Sequence, residues 1–220
     1  MKFLEDIIDK MNLRSYSNIS FDLDGTLIDS LPVMEIAWKE TCDRLKLKTP
    51  FESYKKHIGL PFKIILTNLN LMSLAEEISQ SYFELTQKNI DQIKLFPYAD
   101  ELLNKLSKTE KKVSIITSKP RRNAENIIEK FELNIDVLIA GGDTEFGKPF
   151  HDPFDKLKRV QNNDSQDKDF IYFGDTINDL IFSINSNIDY CHCNFGIEGS
   201  LSELMVPRVN SINSLSEIII

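Results

Sequence analysis

Asn18-Ile19-Ser20-Phe21-Asp22-Leu23 reads as a short strand, and Asp24-Gly25-Thr26 breaks it in a turn, so two carboxylates stand at its carboxyl end. Downstream, past Phe96-Pro97-Tyr98, apolar runs alternate with helix-period segments. The pattern predicts helix 99–107, strand 112–117, helix 123–131 and strand 137–140. It continues with helix 153–161, strand 170–173, helix 178–184 and a short strand at 190–193. The tail adds an expected strand at 205–209 and a helical turn at 215–219. Such alternation predicts an α/β fold, a doubly wound, mostly parallel (Rossmann-like) sheet. Residues 31–95 break the alternation: they hold helix-forming segments at 34–45 and 73–87 with no clear strand. They are expected to form a helical insert, leaving 1–30 and 96–220 as the core. An amphipathic helix is expected at 3–11, and a solvated loop at 161–169.

Ligands of open α/β sheets bind beyond the carboxyl ends of the strands. Asp22, Asp24, Gly25 and Thr26 follow the first strand, and Thr117, Ser118 and Lys119 the second. Gly147, Lys148 and Pro149 follow the third, and Gly174, Asp175, Thr176, Asn178 and Asp179 the fourth. Carboxylates crowded from separate strand ends cannot all ionise unaided. A divalent cation resolves the conflict, and an all-oxygen donor set suits Mg2+. Lys148 adds a second positive centre. Thr117 and the backbone N–H groups of the Asp22–Asp24 turn add hydrogen-bond donors for a phosphoryl group. Asp22 is placed to attack phosphorus, and Asp24 to protonate the leaving oxygen and then activate water. Singly, each element has an ordinary reading: Asp-Gly as a turn, Lys-Pro as a surface pair, Asp175 to Asp179 as helix capping. Their joint order after four strands carries the chemical reading.

Composition bounds the partners. With 34 acidic against 26 basic residues, the net charge of −8 speaks against broad binding to nucleic acid or anionic lipid. No run approaches the length of a membrane span, and acids and lysines interrupt the apolar positions of 1–16, unlike a signal peptide. Three cysteines cannot all pair, which suits a reducing, cytoplasmic setting. Cys191-His192-Cys193 is spaced too tightly for a structural zinc site and reads as a strand end. Nothing in the sequence sets an oligomeric state.

With these motifs in view, the chain resembles the haloacid dehalogenase-like hydrolases, in the branch of phosphoglycolate phosphatases and other small-molecule phosphatases. FDLDGTLIDSLP, SIITSKP, GKPFHDP and YFGDTINDL match that family's four motifs in order, from residue 17 onward. The resemblance implies a magnesium-dependent phosphatase acting on a small phosphorylated metabolite through an aspartyl-phosphate on Asp22, with Asp24 as acid/base. It implies phosphate binding by Thr117, Ser118 and Lys148. It further implies Mg2+ ligation by Asp22, the Asp24 backbone carbonyl and Asp175, with Asp179 as a ligand or an orienter of metal-bound water. Residues 31–95, including HIGLP, fit the branch's α-helical cap, where Tyr54, His57, Lys63 and the loop 59–62 are candidate substrate contacts. Two departures stand out: His151 in place of a second proline, and SINSN after the fourth motif where relatives carry small residues. Asp24 argues against dehalogenase chemistry, and phosphonatase chemistry would need a Schiff-base lysine such as Lys55, Lys56 or Lys63. A phosphosugar mutase and a non-catalytic binding protein on the same fold remain alternatives. Arg121 and Arg122 could meet a second anionic group or simply begin a solvated helix.

Overall fold

The computed structural model describes residues 15–162, 165–197 and 206–212. The expected helix at 3–11 and turn at 215–219 lie outside them. Strand β1 (Asn18–Phe21) is followed by the two-residue β2 (Ile28–Asp29), which pairs antiparallel with β3 (Lys94–Leu95). The main sheet continues with β4 (Lys112–Pro120), β5 (Val137–Gly141), β6 (Phe170–Gly174), β7 (Asp189–Cys193) and β8 (Arg208–Val209). Its six strands are parallel, in the order β5-β4-β1-β6-β7-β8. The central β1 is buried on both faces, as a strand between two helical layers must be. Its polar members are satisfied: Ser20 shares a 2.7 Å hydrogen bond with Ser114 on β4.

Phe21, Ile115 and Phe173 pack on one face of the sheet with helices α5 (Ala99–Leu106) and α6 (Arg121–Lys130). On the other face Ile116, Ile139 and Phe170 meet α7 (Asp152–Gln161) and α8 (Ile177–Asn185) through Phe154, Leu157 and Phe182. The sheet is doubly wound, as the alternation predicts.

Between β2 and β3 run α1 (Leu31–Leu45), α2 (Phe51–Lys55), α3 (Phe62–Asn68) and α4 (Ala75–Lys88). Pro32 sits in the first turn of α1, where its missing N–H costs nothing, and Lys46 ends the helix in a left-handed conformation. This block buries its own cluster, with Trp38, Tyr54, Leu66, Ile78 and Leu85 at its centre. The β2–β3 pair escapes a sequence reading because two residues show no alternation. Strand β4 runs three residues beyond its expected end, and its pairing with β5 shifts register between Ile116 and Pro120. That irregularity re-aims Thr117, Ser118 and Lys119 at the sheet's carboxyl edge, as bulges beside functional sites do. Among the described residues, no helix is long and apolar enough to cross a membrane.

Candidate active site

The tips of β1 and β6 are locked together one residue beyond the ladder, where the Asp22 N–H donates to the Phe173 carbonyl at 2.8 Å. The next turn is closed by Leu27 and Ile28 N–H groups, each donating to the Leu23 carbonyl at 3.0 Å. Gly25 stands in it at φ +84°, and a Cβ there would lie 2.1 Å from Asp175 Oδ2. Only glycine satisfies both the conformation and the contact. This turn lets the β1 and β6 tips bring their acids together.

Asp22, Asp175 and Asp179 are buried, and one carboxylate oxygen from each lies within 4.8 Å of the others. Lys148, 2% exposed, reaches in from the loop after β5 and donates to Asp22 Oδ1 at 2.9 Å and Asp179 Oδ1 at 2.7 Å. A third Lys148 hydrogen bond goes to the Tyr172 hydroxyl at 2.8 Å, which itself donates to the Ile116 carbonyl. Thr176 caps α8 and donates to Asp179 Oδ2 from both its N–H (3.0 Å) and its hydroxyl (2.7 Å). Asp175 has weaker support: the Ile197 N–H at 2.5 Å and a long 3.3 Å contact from the Thr26 hydroxyl.

The charges follow this geometry. Burial pushes the Asp22 carboxyl up to about 7 against the pull of Lys148. Burial, then repulsion from Asp179 and Asp22, pushes Asp175 well above the usual carboxylate range. Burial acts on Asp179 in the same direction, but the Lys148 ammonium and the Thr176 donors outweigh it and hold that carboxyl low. Lys148 is held in its charged form by the two carboxylates despite its burial. Three carboxylates face one ammonium, so a divalent cation fits the charge as well as the oxygen-only donor set.

Asp24 points elsewhere. Its Oδ1 accepts the Ser30 hydroxyl at 2.5 Å, and Lys119 Nζ donates to both of its oxygens at 2.8 and 3.0 Å. Its side chain is therefore outside the three-carboxylate group, which leaves the backbone carbonyl as the atom the family resemblance assigns to the metal. Thr117 Oγ accepts the Lys119 N–H at 3.2 Å, an arrangement that leaves its own O–H to donate. The Ser118 hydroxyl instead donates to the Gly59 carbonyl at 2.7 Å, across to the helical block. Asp22, Asp24, Thr117, Ser118 and Lys119 border a cavity of about 80 Å3, with the helical block as its opposite wall. Tyr54, Gly59, Leu60 and Phe62 belong to that wall, whereas His57 and Lys63 do not.

Sequence reasoning missed Lys119, Ser30, Tyr172 and Thr176 as partners of the acids. Tyr172 left one signal, a hydroxyl inside an otherwise apolar strand that must find a partner when buried. Arg121 turns out to be a clamp, bonded to Asp143, Glu125 and the Leu138 carbonyl. Cys191, His192 and Cys193 are buried in β7, where His192 Nδ1 bonds the Tyr190 hydroxyl at 2.8 Å, consistent with a strand end.

The chain is similar to known proteins over most of its length. The family profile described as haloacid dehalogenase-like hydrolase matches residues 19–193. The phosphoglycolate phosphatase of Psychrobacter arcticus is 27% identical over 197 residues, covering 80% of this chain and 82% of its own. That of Aquifex aeolicus is 28% identical over 169 residues, covering 74% and 77%. The crystal structure of a hydrolase from Pseudomonas syringae superposes with a TM-score of 0.80 at 25% identity, covering 92% of this chain and 99% of that one.

Proposed function

The chain belongs to the haloacid dehalogenase-like hydrolases, and on that premise we propose that it is a magnesium-dependent phosphatase. It hydrolyses a small phosphate monoester through an aspartyl-phosphate on Asp22. The observation that carries this reading is Asp22 itself, a buried strand-tip carboxylate with one oxygen fixed by Lys148 and two further acids beside it. The relatives named phosphoglycolate phosphatase support the reaction class.

Mg2+, when held by Asp22, Asp175 and the Asp24 carbonyl, supplies positive charge to the phosphoryl oxygens and to the nucleophile. Lys148 holds Asp22 Oδ1 and leaves Oδ2 to attack phosphorus, forming an acyl phosphate as the P–O bond to the leaving group breaks. Asp24 carries the proton to the departing oxygen, and as carboxylate it then takes a proton from the water that attacks the phosphoenzyme. Ser30 and Lys119 fix Asp24 for both steps. Thr117 donates to a phosphoryl oxygen. Asp179 has both oxygens engaged by Lys148 and Thr176, so its role is to position the lysine and order the metal's surroundings rather than to attack. The helical block acts as the cap, excluding water from the first step. Free, buried cysteines suit a reducing cytoplasm.

The test is phosphate release from a panel of small monoesters with and without Mg2+, with mass spectrometry of the trapped phosphoenzyme. Metal-dependent turnover, label on Asp22, and loss of at least about 1,000-fold in kcat for Asp22→Asn are expected. Label on any other residue refutes the assignment of the nucleophile to Asp22.

A further inference from the structure

Residues of the helical block make the part of the cavity that a leaving group meets, and its chemistry is one-sided. Phe62 and Tyr82 stack at 4.9 Å with their planes 23° apart, and Phe83 lies 4.9 Å from Phe62. Val33, Met34 and Ile65 extend the apolar wall. Lys119 is the single cation lining the cavity among the described residues, and both of its bonds go to Asp24. His57, Lys63 and Arg121 do not line the cavity: His57 bonds Asn68, Lys63 is exposed, and Arg121 clamps Asp143. The polar groups around the apolar wall, such as Thr86, Gln87 and Asn123, are uncharged.

A second anionic group on the substrate would be desolvated here against a single ammonium that Asp24 already holds. An apolar ring would instead gain burial and offset stacking. Within the aromatic wall Tyr54 donates to the Tyr82 hydroxyl at 2.8 Å, which leaves the pair one O–H for an uncharged acceptor. We propose that this pocket selects phosphate monoesters of an uncharged, largely apolar, ring-sized alcohol over esters carrying a second anion.

The proposal rests on the phosphatase reading, and the experiment separates the two. Trp38, the only tryptophan, stacks on Tyr54 at 4.4 Å and so reports binding in the cavity by its fluorescence. Inert 2-phenylethylphosphonate and 3-phosphonopropionate are titrated against the full chain with Mg2+ present. Turnover of benzyl phosphate and 2-phosphoglycolate, which have comparable alkoxide leaving groups, is measured in parallel. At least tenfold tighter binding of the phenyl compound and at least tenfold higher kcat/KM for benzyl phosphate are expected. Gln87→Arg, which adds a cation at an exposed lining position, should narrow both ratios at least threefold. Ratios below tenfold in the wild-type protein, or unchanged ratios in Gln87→Arg, overturn the proposed selectivity while turnover of either ester leaves the phosphatase reading standing. Absence of metal-dependent turnover on both esters overturns the two together.

Discussion

Asp175 is the acid with the least help, and its environment separates stability from function. It is fully buried, with one backbone N–H and one long hydroxyl contact as its donors. Without a divalent ion, burial and the repulsion of Asp179 and Asp22 force it to take up a proton, a cost that an amide in its place escapes. Asp175→Asn is therefore expected to stabilise the protein in EDTA by about 1–3 kcal/mol. At roughly 2–4 °C per kcal/mol for a chain of this size, thermal melting resolves that gain. Added Mg2+ should raise the wild-type melting temperature and leave the variant's unmoved. A variant that melts below the wild type in EDTA would show that this carboxylate is compensated in the free protein. At this scale the sequence was informative: the four acids and Lys148 are readable because each follows an apolar strand. Their neutral partners were not, since a serine or threonine carries no signal until the fold sets it against a charge, and the Tyr172 hydroxyl signals a partner without saying which.

Two loops show how elements hold these residues in place. Beyond β5, Asp143 accepts the Ala140 N–H at 2.9 Å and the Arg121 Nε at 2.7 Å, with a second guanidinium bond beside it. Burial pushes this carboxyl up, but the Arg121 and Ala140 donors outweigh it and hold it below its usual range. A depressed carboxyl stabilises the fold above its unfolded pKa, about 3.9, and the contribution fades as pH falls through the folded value. Asp143→Ala should cost about 1–3 kcal/mol at neutral pH, and the gap to wild type should close below about pH 4. Urea denaturation at several pH values checks both. The second loop lies in the helical block: Gly59 stands at φ +96°, and a Cβ there would approach Thr176 Oγ to 2.8 Å. Its carbonyl accepts the Ser118 hydroxyl, and the Ile58 carbonyl receives a 3.4 Å contact from Asn178. Gly59→Ala should prop this edge away from the sheet and lower kcat/KM about tenfold or more. Steady-state kinetics beside a melting curve distinguishes this from unfolding. The loop was visible in the sequence as a break at Gly59-Leu60-Pro61; what it touches was not, because that depends on residues some sixty and 120 positions away.

Across the whole molecule, the sheet has one core on each face and the helical block has its own. The alternation of strands and helices and the helical character of 31–95 were both legible, because hydrophobic period is local. Strand order was not, since β1 lies between β4 and β6, partners far along the chain. The separate cores predict that saturating inorganic phosphate with Mg2+ slows amide hydrogen exchange at 58–62 together with 117–119, leaving α7 unchanged. Slowing confined to the sheet tips would show that the block does not respond to the ligand.

The short ribbon of Ile28 opposite Leu95 and Asp29 opposite Lys94 has one more consequence. The chain departs for its helical excursion and returns at two adjacent backbone positions, so the excursion hangs from a narrow neck. A foreign module whose termini lie side by side could be spliced in at that neck without disturbing the acids at the strand tips. Chimeras made there should inherit their preference among esters from the graft and their capacity to cleave them from the host.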